Sequence, residues 1–168
     1  MTELDSIWFK MLDNATSSAG GSDREEVASY LRLRATNDQI RRAGVDWLFS
    51  SAIEAAGRAM RDHKAITIER FDPHSFAHGN SRMVGSKIEV RLGVRCLMIE
   101  AGWARTPSDG IMRTGALAFA RISHFGLPAF GTEIRLIHSD PLPVWSCEDG
   151  TVFGSVHLEG QVKLLLDN

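Results

Sequence analysis

The sequence predicts an α+β protein in which N-terminal helices are followed by a mainly antiparallel, strongly twisted sheet packed on or wrapped around one long helix. Three observations predict this class. Up to about residue 62, apolar residues recur every three or four positions, which is the period of an amphipathic helix. From Ala65 onward they alternate with polar residues, as in half-buried strands. Short turn segments such as Glu148 to Gly150 separate these strands, and connections this short join antiparallel neighbours.

Length and composition narrow the class of protein further. The 168 residues suffice for one well-cored domain, and 43% hydrophobic with 24% charged residues is typical of a soluble globular protein. Lys and Arg number 19 against 21 Asp and Glu, so no basic surface indicates nucleic-acid binding. Two cysteines make no disulfide framework, the start carries acidic Glu3 and Asp5, and no apolar run approaches the ~18 residues of a membrane span. We expect a cytoplasmic protein with no membrane or nucleic-acid partner.

The N-terminal part of the chain is predicted to be helical. Residues 1–21 are interpreted as an amphipathic helix followed by a flexible break within Ser17 to Ser22 (SSAGGS), and residues 22–168 as a single α+β domain with helices over 22–62 and antiparallel strands over 65–166. Ser22 with Glu25 and Thr36 with Gln39 form two capping-box patterns, which predict two consecutive helices. The second helix, about Asn37 to Arg61, has a stripe of apolar and small residues that a sheet can approach closely.

The alternating patterns predict seven strands, at 65–71, 86–100, 115–123, 132–139, 143–147, 151–158 and 161–166. The strand at 86–100 is expected to be central, with the row of Ile88, Val90 and Leu92 turned toward the core and a bend at Gly93. Residues 71–85 are predicted to form a long loop, and loops of that length are often functional.

This loop contains a candidate metal site. Asp72, His74 and His78 follow the spacing D-x-H-x-x-x-H, and imidazole with carboxylate is a ligand set that zinc accepts. The alternative interpretation is a polar loop with two surface histidines.

Arginines of the predicted sheet form a candidate ligand site. Arg91 and Arg95 are expected on one face of the central strand, and Arg121 and Arg135 on related faces of two other strands. Guanidinium groups that converge on one face bind carboxylate or phosphate, so these four residues predict an anion pocket. Cross-strand ion pairs with Glu89 or Glu133 are the alternative.

Three functions stay open on the sequence alone. The first is a non-enzymatic binding module without a cofactor, which self-associates as a homo-oligomer or binds a partner protein or a small anionic ligand, because no nucleotide-binding or nucleophile motif is present. The second follows from the element order, which resembles the hot-dog architecture of thioesterases and dehydratases. That resemblance implies an acyl-thioester hydrolase or dehydratase with Asp46 or Glu54 as the base. The third is a metal-dependent hydrolase centred on Asp72, His74 and His78.

Overall fold

The protein has an α+β fold with one long helix, a six-stranded antiparallel sheet and a C-terminal helix. The structure, a computed structural model, describes residues 21–63 and 65–167. Its helices are α1 (Gly21–Ala59) and α2 (Ser155–Asp167), with short 3-10 turns at Pro107–Asp109 and Pro128–Phe130. Its strands are β1 (Ile66–His78), β2 (Ser81–Leu92), β3 (Arg95–Trp103), β4 (Ala118–His124), β5 (Thr132–Ile137) and β6 (Val144–Cys147).

The chain divides into two compact units, Met1–Gln39 and Ile40–Asn168, and α1 has residues in both. The predicted N-terminal helix of residues 1–21 lies outside the described residues, which begin at Gly21. No helix of the described ranges is long and apolar enough to cross a membrane.

The prediction of two consecutive N-terminal helices is wrong, because α1 runs without a break through Thr36. The Thr36 hydroxyl donates a hydrogen bond to the carbonyl oxygen of Arg32, one turn back at 2.9 Å. A threonine side chain can bond within a helix in this way as well as cap one, so the capping-box pattern alone does not mark a helix start. No glycine or proline between Arg32 and Ile40 interrupts the helix.

The sheet is a meander in which each strand pairs antiparallel with the next, in the order β1 to β6. The predicted central strand over 86–100 is wrong in one respect. The chain reverses at Gly93 and Val94 instead of bending, and Leu92 pairs with Arg95 across the resulting hairpin. Gly93 has a φ of 61°, which the two-residue turn requires and which glycine adopts without strain.

The predicted loop over 71–85 is a second hairpin. After an irregularity between Phe71 and His74, β1 continues to His78 and turns at residues 79 and 80 into β2. The polar composition obscured the strands in the sequence. On the side of the hairpin that faces Phe119, only Phe76 and Met83 are apolar. They form a small cluster with Ala116 and Phe119, which stabilises the hairpin by burial.

The two strands predicted over 151–158 and 161–166 are wrong, since the chain from Ser155 onward forms α2 and Val152 makes only an isolated bridge with Ser146. Leu158, Val162 and Leu165 are its buried residues, and their spacing of four and three is helical. The predicted strands over 115–123, 132–139 and 143–147 are confirmed as β4, β5 and β6.

The main core lies between one face of the sheet and both helices. Leu48, Phe49, Ala52 and Ala56 of α1 pack there with Leu158 and Val162 of α2 and with alternate residues of the strands. The inward row predicted at Ile88 and Val90 is confirmed, because both side chains are fully buried. The sheet covers one side of α1, since Trp47 and Ile53 on other sides of the helix remain exposed. The buried residues of both helices belong to this core, whereas the opposite face of the sheet carries charged side chains beside the small cluster of Phe76 and Met83.

Candidate functional site

We call the side of the sheet turned away from the helices the polar face. On this face, a row of side chains with imidazole, carboxylate and guanidinium groups crosses four strands. His74 Nε2 lies 2.6 Å from Oε1 of Glu100, and Oε2 of Glu100 lies 3.7 Å from the guanidinium of Arg121. Arg121 Nε donates to Glu133 at 3.1 Å, and Oε2 of Glu133 lies 3.7 Å from Nδ1 of His78. The carboxylates of Glu100 and Glu133 each contact two of the other side chains. The row therefore links β1, β3, β4 and β5.

The end of the β1–β2 hairpin contacts β4 and β5 on this face. Arg121 donates a hydrogen bond to the carbonyl oxygen of Ala77 at 2.8 Å. The ring of His78 stacks on Phe119, with 3.9 Å between the centroids. These contacts bring His78 beside Arg135, which pairs in register with Phe119. The hairpin thereby forms one wall of a cleft.

We call this space the arginine cleft; it has a volume of about 280 Å³. Its walls come from β1, β4, β5, β6 and the loop before β4, and they carry both charged and hydroxyl groups. The side chains that matter chemically are those of His78, Arg113, Thr114, Glu133, Arg135, Ser146 and Glu148.

The side chain of Arg135 is partly buried in this cleft. Its Nε is buried and has no hydrogen-bond partner within the described part of the chain. A buried donor without a partner costs about 1–3 kcal/mol of stability. Native proteins pair nearly all buried polar groups, so we expect this Nε to have a partner that the described residues do not supply.

The loop before β4 presents Arg113 and Thr114 to the cleft through a tight turn. The Ala116 amide donates to the Arg113 carbonyl oxygen at 3.2 Å, and Thr114 and Gly115 have φ values of 61° and 66°. A positive φ is unusual for a β-branched residue such as Thr114 and stores backbone strain. The turn therefore holds these two side chains against the cleft at some cost in stability.

The four arginines predicted to form an anion pocket do not converge. The expectation that Arg91 and Arg95 share a face is wrong, because the reversal at Gly93 puts them on opposite faces. Arg91 donates to Glu89 on the polar face, whereas Arg95 donates to the carbonyl oxygens of Leu165 and Leu166 at the end of α2. Arg121 and Arg135 do share the polar face. Arg121 is held by two glutamates, and of the four predicted arginines Arg135 alone lines the cleft.

Glu89 illustrates the alternative of ion pairing. Hydrogen bonds from Lys87 and Arg91, on the same strand, hold the pKa of this buried carboxyl below its usual value. The carboxylate is therefore fully occupied by its strand neighbours. This part of the polar face is a structural salt-bridge cluster.

The structure does not bring the three predicted metal ligands together. Asp72 pairs with Arg70, His74 with Glu100, and His78 with Glu133. Within residues 21–63 and 65–167, no group of three or more His, Cys, Asp and Glu side chains is arranged to hold a metal ion. The sequence analysis placed these three residues in a loop. They belong instead to β1, an extended strand in which this spacing does not bring them together.

The other candidate catalytic groups are exposed carboxylates and protonated thiols. Asp46 and Glu54 are exposed on α1, and Glu54 pairs with Arg58 at 3.4 Å. Burial raises the pKa of the Cys96 and Cys147 thiols, which keeps both sulfurs protonated and weakly nucleophilic.

Several cleft residues were not found from the sequence. Arg113, Thr114, Ser146 and Glu148 carry no motif, and they meet Arg135 only through the pairing of β5 with β6 and the turn before β4. The usable signal was weak: Thr114 precedes a glycine in a polar segment, which is compatible with a tight turn.

Comparison with known proteins adds no functional information. No family model matches the chain, and neither a curated protein nor a solved structure is significantly similar to it.

Proposed function

We propose that this chain is a binding module for a small anionic molecule, which it takes up in the arginine cleft. The observation that carries the proposal is the buried Nε of Arg135, which has no hydrogen-bond partner among the described residues. An anion in the cleft would give this guanidinium a charged hydrogen-bond acceptor.

The charges around Arg135 support the same function. Arg113 lines the cleft with it, and a pair of guanidinium groups suits a carboxylate or phosphate, which accepts two hydrogen bonds at a time. Glu133 competes little for Arg135, because Arg121 and His78 already lie beside that carboxylate. Arg135 therefore retains a positive charge that is available for a ligand.

The first experiment is a thermal-shift panel on the purified chain with inorganic phosphate, propionate, 3-phenylpropionate and glutarate. A ligand at 100 times its Kd stabilises the folded state by about 2.7 kcal/mol. For a chain of this size, that free energy raises Tm by about 5–10 °C. We expect at least one probe to do so in the wild type and to lose the effect in Arg135→Met.

The control is Arg61→Met, which removes the same charge from an exposed position after α1, outside the cleft. This variant should keep the full shift, which separates a local contact with Arg135 from the effect of changing the net charge of the protein. If no probe stabilises the wild type, or if both variants lose the shift equally, the proposal fails.

The remaining functions stay predictions from the sequence. They are self-association, binding of a partner protein, a hot-dog-like acyl-thioester hydrolase or dehydratase, and a metal-dependent hydrolase.

A further inference from the structure

We infer that the ligand of the arginine cleft is a zwitterion the size of an amino acid, with its carboxylate at Arg113 and Arg135 and its ammonium group at Glu148. This inference rests on the proposed function and adds the class of ligand to it. Three features of the cleft carry it: a free carboxylate, the direction of two hydroxyl groups and the volume.

Glu148 supplies a negative charge that an ordinary anion site would avoid. It lines the cleft in the turn after β6, and no ion pair with another described side chain neutralises it. Glu133, the other carboxylate of the cleft, already has Arg121 beside it at 3.1 Å. A ligand that carried only negative charge would be repelled by Glu148, whereas a ligand with a cationic group would gain from it.

The hydroxyl groups of the cleft also favour a ligand that donates hydrogen bonds. Ser146 Oγ donates its proton to the carbonyl oxygen of Cys147 at 3.1 Å, and Thr114 Oγ1 donates to that of Arg113 at 2.6 Å. Each hydroxyl has one proton, so only acceptor lone pairs remain for the ligand. Both hydroxyl oxygens can therefore accept a hydrogen bond from a ligand that also reaches Glu148.

The register separates the two ends of the site. Arg135 stands directly opposite Ser146 in the β5–β6 pair, and Glu148 lies two residues beyond Ser146. Glu148 therefore lies beyond the position that faces Arg135, in the turn after β6. A molecule whose opposite charges are a few bonds apart can meet both side chains.

The volume fits a small metabolite. About 280 Å³ is close to the lower limit of the range of small-molecule pockets. A ligand the size of an amino acid fits a cleft of this volume.

The test compares each amino acid with the acid that lacks only its amino group. Titration calorimetry is run with L-alanine against propionate, L-leucine against 4-methylpentanoate, L-phenylalanine against 3-phenylpropionate, and L-glutamate against glutarate. A charge-assisted hydrogen bond to Glu148 should make at least one amino acid bind about tenfold more tightly than its analogue. Glu148→Gln should remove this difference and leave the affinity of the analogue unchanged or higher.

The matched control is Glu26→Gln, an exposed position on α1. It should keep the preference for the amino acid. If the analogues bind through Arg135 as tightly as the amino acids, or if Glu148→Gln leaves the preference intact, the zwitterion inference is wrong and the anion-binding function stands. If neither class of compound binds, both proposals are wrong.

Discussion

The imidazole of His74 contacts the carboxylate of Glu100 at 2.6 Å, although β2 lies between the strands that carry them. Gly85 of β2 stands directly opposite His74, and Gly102 of β3 stands directly opposite Gly85. Because these two positions carry no side chain, the imidazole can reach across β2. The contact of His74 with Glu100, which links β1 to β3 on the polar face, depends on this pair of glycines.

Gly85→Ala should therefore be strongly destabilising. A Cβ atom at this position would overlap the carbonyl oxygen of Ala101, which belongs to the backbone and cannot move away cheaply. We expect a loss of about 3 kcal/mol or more in the free energy of unfolding, measured by urea denaturation. Gly160→Ala is the control, because its Cβ would meet no atom within 4 Å in α2. It should gain about 0.5–1 kcal/mol, and equal effects of the two changes would contradict the argument.

Arg135→Met should stabilise the ligand-free protein. The substitution removes a buried donor without a partner and keeps a flexible side chain of similar length. We expect the free energy of unfolding to rise by about 1 kcal/mol or more, whereas Arg61→Met should change it by less than about 0.5 kcal/mol. A loss of stability in Arg135→Met would mean that the guanidinium has a structural role, and would remove the main support for a ligand.

Glu89 should make stability depend on pH in the acid range. Hydrogen bonds from Lys87 and then Arg91 lower its pKa below the usual 4.5, so the folded state binds fewer protons than the unfolded state. The contribution is present above the unfolded-state pKa and is lost as the pH falls through the folded-state pKa. Glu89→Gln should cost about 1.5–3 kcal/mol at neutral pH and should flatten the loss of stability in acid. Urea denaturation at neutral and acidic pH measures both effects.

Lys87→Met provides the second variant for Glu89, because it removes the largest cause of the lowered pKa. It should also flatten the acid dependence, by less than Glu89→Gln does. Wild-type acid dependence in both variants would show that this cluster does not contribute.

Arg95→Met should weaken the end of α2. The wild-type guanidinium donates to the carbonyl oxygens of Leu165 at 3.3 Å and Leu166 at 2.8 Å, which have no further helical turn to bond. We expect a loss of about 1 kcal/mol and faster hydrogen exchange in the last turns of α2. Arg95→Lys keeps a charge at the helix end and should recover part of the loss. Unchanged exchange in Arg95→Met would show that these bonds do not hold the helix end.

The sequence by itself determined the α+β class, the buried stripe of α1, the inward row at Ile88 and Val90, and the strands β4 to β6. These features follow from local periodicity, because the spacing of apolar residues predicts which side of a helix or strand is buried. Only the tertiary structure decided that Gly93 reverses the chain and that Leu158, Val162 and Leu165 pack as one face of a helix. A short apolar pattern is compatible with more than one element, and the choice depends on what it packs against.

The arginine cleft was also decided only by the tertiary structure. Arg135, Ser146 and Glu148 meet because β5 and β6 pair in one particular register, and Arg113 and Thr114 join them through a turn more than 20 residues before Arg135. Register is set by the burial of whole strands against both helices and not by the cleft residues themselves. The amino-acid sequence alone therefore indicated an arginine-rich sheet, whereas the folded chain decided which arginine has a buried Nε without a partner among the described residues.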